Sequence, residues 1–199
     1  MHTNNYNLFN ITKMMKTIKT MKNLLGLLIL TGVLFLQSCS KDDDPIFEDE
    51  EELITDVILT LTPAAGGTPT ILLFNDPDGE IGSVIPTITR GTLQSGITYT
   101  GDVVLLNNAG ESTEDVTVEI KTEGEEHLFC YTTAGDITID ITDKDAGGLN
   151  LGLLTSWAVG STIGNTEVQV VLKHQPGVKD GSCDVGDTDI EIVFPITIE

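Results

Sequence analysis

Asp189-Ile190-Glu191-Ile192-Val193-Phe194-Pro195-Ile196-Thr197-Ile198 decides the fold class. Ile190, Ile192, Phe194, Ile196 and Ile198 share one parity, and Asp189, Glu191, Val193, Pro195 and Thr197 share the other. Successive side chains of a strand point to opposite faces, so this period of two places one face in a core and the other in water. Pro195 has no amide hydrogen to give to a ladder, which predicts an edge strand or a bulge at that point.

The same period recurs upstream. Val57, Leu59 and Leu61 alternate with Ile58, Thr60 and Thr62; Ile137, Ile139 and Ile141 alternate with Thr138, Asp140 and Thr142; Val168, Val170 and Leu172 alternate with Gln169, Val171 and Lys173. Further strands are expected over 70–75, 84–90, 97–107, 115–121, 126–133 and 152–159. Turn residues separate them: Ala65-Gly66-Gly67, Asp76-Pro77-Asp78-Gly79, Asn107-Asn108-Ala109-Gly110, Ala146-Gly147-Gly148, Pro176-Gly177 and Asp180-Gly181. No 3.6-residue apolar stripe stands out after residue 45. Many short strands with regular turns predict an all-β, single antiparallel β-sandwich over residues 53–199, long enough to bury a full core. Strands with one polar face argue against a doubly wound parallel sheet.

Within that region, Leu93-Gln94-Ser95-Gly96-Ile97-Thr98-Tyr99 leads into the alternating stretch Gly101 to Asn107. This segment resembles the E–F corner of immunoglobulin-like and fibronectin type III domains. The resemblance implies that the Tyr99 hydroxyl bonds back to nearby backbone. Cys130, Trp157 and Cys183 follow the antibody order, but the residue two before Cys183 is Gly181, where an antibody domain carries its tyrosine.

The other end of the chain has a different character. Residues 1–38 hold Lys13, Lys16, Lys19 and Lys22 and no acid, and Leu24 to Leu36 is an apolar run of 13 residues. A membrane-crossing helix needs about 20, so the segment reads as a cleaved signal peptide. It ends Leu36-Gln37-Ser38-Cys39, which resembles the lipobox of bacterial lipoproteins. The resemblance implies that Cys39 receives a diacylglycerol thioether and anchors the protein to a membrane, each buried methylene contributing ~0.8 kcal/mol.

Beyond Cys39 stand all 31 acidic residues and six basic ones, giving the mature chain a formal charge of −25. No basic patch exists to release phosphate counterions, so nucleic acid is excluded as a partner. Eight of the acids lie in residues 42–52, which read as a solvated tether covering 39–52. Ser40, Lys41, Asp42, Asp43 and Asp44 resemble the surface-export signal of Bacteroidetes lipoproteins, the other reading being a soluble linker on a periplasm-facing lipoprotein.

The mature region is also similar to uncharacterised flavobacterial surface lipoproteins, through Leu53-Ile54-Thr55-Asp56-Val57, Gly96-Ile97-Thr98-Tyr99, Glu125-Glu126-His127, Asp143-Lys144-Asp145 and Thr188-Asp189. That family is often labelled "type 1 periplasmic binding fold superfamily protein", an α/β fold for which this pattern supplies no helices. The resemblance implies an outer-membrane, lipid-anchored protein at the cell surface, working beside an outer-membrane receptor, and it brings no catalytic residues.

Three constellations bear on chemistry. Cys130 and Cys183 are an even pair in an exported chain and read as a disulfide, with two unpaired thiols as the alternative. His127 and His174, at strand ends, form with Glu126, Asp143 and Asp145 a candidate zinc or copper set if the strands are neighbours. His174 also continues the parity of Val168, Val170 and Leu172, and a satisfied inward-facing histidine at the rim of the core is the simpler account. Asp76-Pro77-Asp78-Gly79 and Asp143-Lys144-Asp145 start like Ca²⁺ loops, but their twelfth positions are Thr87 and Leu154 rather than Glu. Both read first as turns.

Serine-hydrolase elbows, zinc-protease helices and phosphate-cradling loops have no counterpart here. The chain therefore reads as a non-catalytic binding or accessory module without a cofactor. The alternative is a structural or adhesive envelope protein with no small ligand.

Overall fold

The computed structural model describes residues 52–79 and 84–199. Its elements in chain order are β1 (Asp56–Pro63), β2 (Thr70–Asn75), β3 (Thr87–Ile88), β4 (Gly91–Leu93), β5 (Thr98–Asn107) and β6 (Glu114–Asp115). There follow α1 (Val116–Thr122), β7 (His127–Thr133), β8 (Ile137–Ile141), β9 (Leu154–Val159), β10 (Gly164–His174) and β11 (Asp187–Ile198). A seven-stranded sheet runs β3-β2-β1-β5-β9-β8 with β6 beside β5, and a four-stranded sheet runs β4-β11-β10-β7. All pairings are antiparallel except that of β4 with β11. This is the all-β sandwich that the alternation predicts. The signal segment, Cys39 and the Ser40–Asp44 signal lie outside the described residues.

Both sheets turn their apolar parity inward. Val57, Leu59 and Leu61 of β1, Val103 and Leu105 of β5 and Trp157 of β9 meet Phe129 of β7, Val168, Val170 and Leu172 of β10 and Ile192, Phe194 and Ile196 of β11 in one core. Full burial of each large side chain contributes about 1.5–3 kcal/mol. The Trp157 indole N–H, buried with the ring, donates to Thr155 Oγ1 at 2.8 Å, so no polar group is stranded there. Gly101 makes this possible: a Cβ on it would collide with that Thr155 hydroxyl and crowd the indole nitrogen.

The corner expected at Tyr99 is present. Gly96 has φ +73°, Leu93 is buried, and the Tyr99 hydroxyl accepts from the Gln94 amide at 2.8 Å.

Two expectations need correction. The stretch 115–121 is not a strand, since Val116–Thr122 forms helix α1 with Asp115 as its N-cap, accepting from the Thr117 amide at 3.1 Å. Val116 and Ile120, four apart, are the residues it buries, whereas Val118 stays 62% exposed. Of 84–90, only Thr87–Ile88 pairs as a strand.

Pro195 is not at a bulge, and β11 is flanked by strands on both sides only from Ile196 onward. β11 lies between β10 and β4, and its register shift falls opposite Leu172/Lys173. Glu167, opposite Pro195, accepts from Ala134 on the far side of β10. The Pro195 nitrogen therefore faces the other flank, where β4 pairs only with Ile196 to Ile198, so the ring costs the ladder no bond.

Candidate functional site

His127 opens β7 and His174 closes β10, and the register sets them directly opposite each other. The Gln175 amide bonds the Glu126 carbonyl at 2.6 Å. His174, one residue back, therefore turns its backbone the other way, and the two histidines form a non-hydrogen-bonded pair, where facing side chains come closest. Their rings are parallel within 5°, with centroids 4.8 Å apart. His174 continues the inward parity of Val168, Val170 and Leu172, as the sequence predicts, and both histidines are buried.

A third group arrives from a segment assigned to the tether. Glu52 Oε1 lies 2.9 Å from His127 Nε2, with side chains 6% and 0% exposed. Glu52, the last residue assigned to the tether, thus contacts the folded domain. Glu52, His127 and His174 each offer a ligand atom, all within 4.8 Å of one another.

The opposite face of His127 is fixed as well. Its Nδ1 lies 3.1 Å from the Glu123 carbonyl at the C-terminal end of α1. A carbonyl only accepts, so Nδ1 carries the hydrogen and Nε2 faces the carboxylate. Burial opposes charge on His127, but the bond to Glu52, its charge, the Glu123 carbonyl and the charge of Asp189 outweigh it and hold the pKa above the ordinary histidine value. Burial likewise pushes Glu52 up, and the His127 bond and charge overcome it, leaving that carboxyl below its usual range. Asp189 is the extra residue of β11, skipped where Lys173 pairs with Thr188 and Leu172 with Ile190. Such bulges re-aim a side chain out of the strand's alternation.

A rigid frame surrounds the cluster. Cys130, three residues into β7, is bonded to Cys183 with Cα atoms 6.1 Å apart. Gln175, fully buried, donates to the Ser182 and Val185 carbonyls at 2.8 and 2.9 Å. The loop after His174 is thus pinned at both the disulfide and the amide.

The remaining members of the expected metal set do not join it. Glu126 is 46% exposed and lies 4.0 Å from His174 Nε2. Asp143 accepts from the Gly152 and Leu153 amides at 2.8 and 3.1 Å. Asp145 accepts from Leu149 at 2.9 Å and from Lys179 Nζ at 2.6 Å. These carboxylates close the loop between β8 and β9, with Lys179 also donating to the Gly124 carbonyl at 2.7 Å. Among the described residues they belong to no ligand group with the histidines.

The first Asp-x-Asp loop is a turn. Gly79 donates to the Asp76 carbonyl at 3.1 Å, and Thr87, its twelfth position, lies in β3. Burial and the hydrogen-bonded, like-charged Asp78 raise the Asp76 carboxyl above its ordinary range. Leu154, twelfth in the second loop, lies in β9.

No family model matches the chain, and no curated protein matches it. The solved structure titled "Crystal structure of the S-layer protein SbsC domains 4 and 5" aligns at TM-score 0.30 and 16% identity, covering 66% of this chain and 65% of that one. So distant a likeness carries no argument about function. The class that the coordinates themselves define is a disulfide-stapled β-sandwich with a buried His–His–Glu cluster at one end of its four-stranded sheet.

Proposed function

We propose that the protein is a lipid-anchored, non-catalytic binding or accessory module held at the outer-membrane surface by Cys39, beside an outer-membrane uptake receptor. The observation that carries this reading is Leu36-Gln37-Ser38-Cys39, placed directly between an apolar run and eight acids within residues 42–52. The two acyl chains of a diacylglycerol thioether make the cysteine a stable anchor, and the acid run keeps the following residues solvated and extended.

The fates of several carboxylates support a binding role over a hydrolytic one. Asp56 is held by Thr55, Asn75 and Asn108, Asp143 by two backbone amides and Asp145 by Lys179. A general acid or base needs a proton within reach of substrate, and these groups are spent on the fold. Every Phe, Tyr and Trp among the described residues is buried or half-buried, so no exposed aromatic platform supports glycan stacking there. The His–His–Glu cluster favours a binding module over a featureless structural one.

Cys39→Ser is expected to move the protein from the membrane to the soluble fraction; continued fractionation with membranes refutes the anchor. Replacing Asp42, Asp43 and Asp44 by Asn is expected to protect the protein from protease added to intact cells. Unchanged digestion refutes the outward address while leaving the anchor intact.

A further inference from the structure

The protonation pattern of His127 poses a chemical demand. Nδ1–H points to the Glu123 carbonyl, so a neutral ring would aim its Nε2 lone pair at Glu52 Oε1 across 2.9 Å. Two lone pairs at that distance repel, and a positive centre must bind there. A proton is one candidate and a metal ion is the other.

The surroundings fit a ligand set. A metal-bound histidine usually donates its other ring N–H to a carbonyl or carboxylate, which fixes the tautomer; His127 already does so. Two imidazoles and a carboxylate are the donors of a borderline divalent ion such as zinc, with a fourth position for water. Tetrahedral zinc, at about 2.0–2.1 Å from each donor, sets its donors about 3.3 Å apart. The present atoms span up to 4.8 Å. Binding therefore requires the three side chains to draw together by up to about 1.5 Å.

We propose that Glu52, His127 and His174 form a zinc-type divalent-metal site that ties the segment entering the sandwich to the ends of β7 and β10. The site lies wholly in residues 52–199 and stands or falls independently of the lipid anchor.

The test is titration of the purified full chain with zinc chloride, followed by calorimetry and by the histidine ring signals in NMR. One zinc per chain is expected, moving the ring signals of both His127 and His174, while calcium chloride moves neither. Glu52→Gln, close in shape to the native residue, and His174→Gln are each expected to weaken binding about 100-fold or more, beyond the 10–100-fold of a supporting contact. Glu126→Gln should leave affinity within a few-fold. Absence of one-to-one binding, zinc binding that leaves both rings unperturbed, or wild-type affinity in folded Glu52→Gln overturns the site.

Discussion

Lys179→Met isolates a buried charge whose partner and surroundings are fully defined. Lys179 Nζ and Asp145 Oδ2 are 2.6 Å apart, with side chains 3% and 1% exposed. Methionine keeps the aliphatic stem and removes the ammonium, leaving Asp145 with the Leu149 amide and the Gly124 carbonyl without its side-chain donor. Removing one partner of a buried ion pair costs ~3–5 kcal/mol. The surviving amide bond places this case near the lower end, about 3 kcal/mol, or a fall in melting temperature of about 6–12 °C for a domain of this size.

The pH dependence gives the sharper discrimination. Burial opposes ionisation of Asp145, but the Lys179 bond, the Leu149 amide and the Lys179 charge outweigh it and lower its pKa. A carboxyl with a lowered folded pKa adds stability that is present above its unfolded value, near 3.9, and is lost as pH falls through the folded value. In the variant the ammonium is gone and burial pushes the same carboxyl upward, so acid relieves the unpaired charge. Urea titrations at pH 7 and pH 4 should show the difference between wild type and variant narrowing in acid. A loss under about 1 kcal/mol at pH 7, or a gap that widens in acid, refutes the assignment of Asp145 to a buried structural pair.

Two further outcomes follow from the fold. Tyr99→Phe deletes the acceptor for the Gln94 amide and is expected to cost about 1 kcal/mol in chemical denaturation; no loss would mean that the corner bond contributes nothing. Opening the Cys130–Cys183 bridge by paired Ser substitution frees a loop with a sequence separation of 53 residues, for which chain entropy gives about 4 kcal/mol. Equal stability of the oxidised and substituted proteins would contradict it.

The elements readable in advance were those with a short-range signature. β11 carries its parity in five large apolar residues, and the Tyr99 corner needs only a leucine, a glycine turn and a hydroxyl within seven residues. Helix α1 was hidden because Val116, Val118 and Ile120 alternate like a strand, although Val116 and Ile120 alone are buried. Seven residues make barely two turns, too few for a helical stripe to repeat. Asp115 before Val116 was the available sign, as an N-cap ahead of an apolar residue.

The site divides in the same way. The inward parity of His174 is local, and the facing position of His127 follows once β7 and β10 pair. Glu52 carried no local mark among its acidic neighbours, because its role depends on a contact 75 positions away along the chain. Asp143 and Asp145 looked like ligands because paired carboxylates serve loop closure as well as cations. Only the positions of the Gly152 and Leu153 amides and of Lys179 distinguish the two.

The anchored-display account rests on the fate of Cys39. Mass spectrometry of the protein extracted from membranes reads it directly. The account predicts a mature N-terminus at Cys39 bearing a diacylglycerol thioether, with residues 1–38 absent. A mature chain whose Cys39 is an unmodified internal thiol would contradict it.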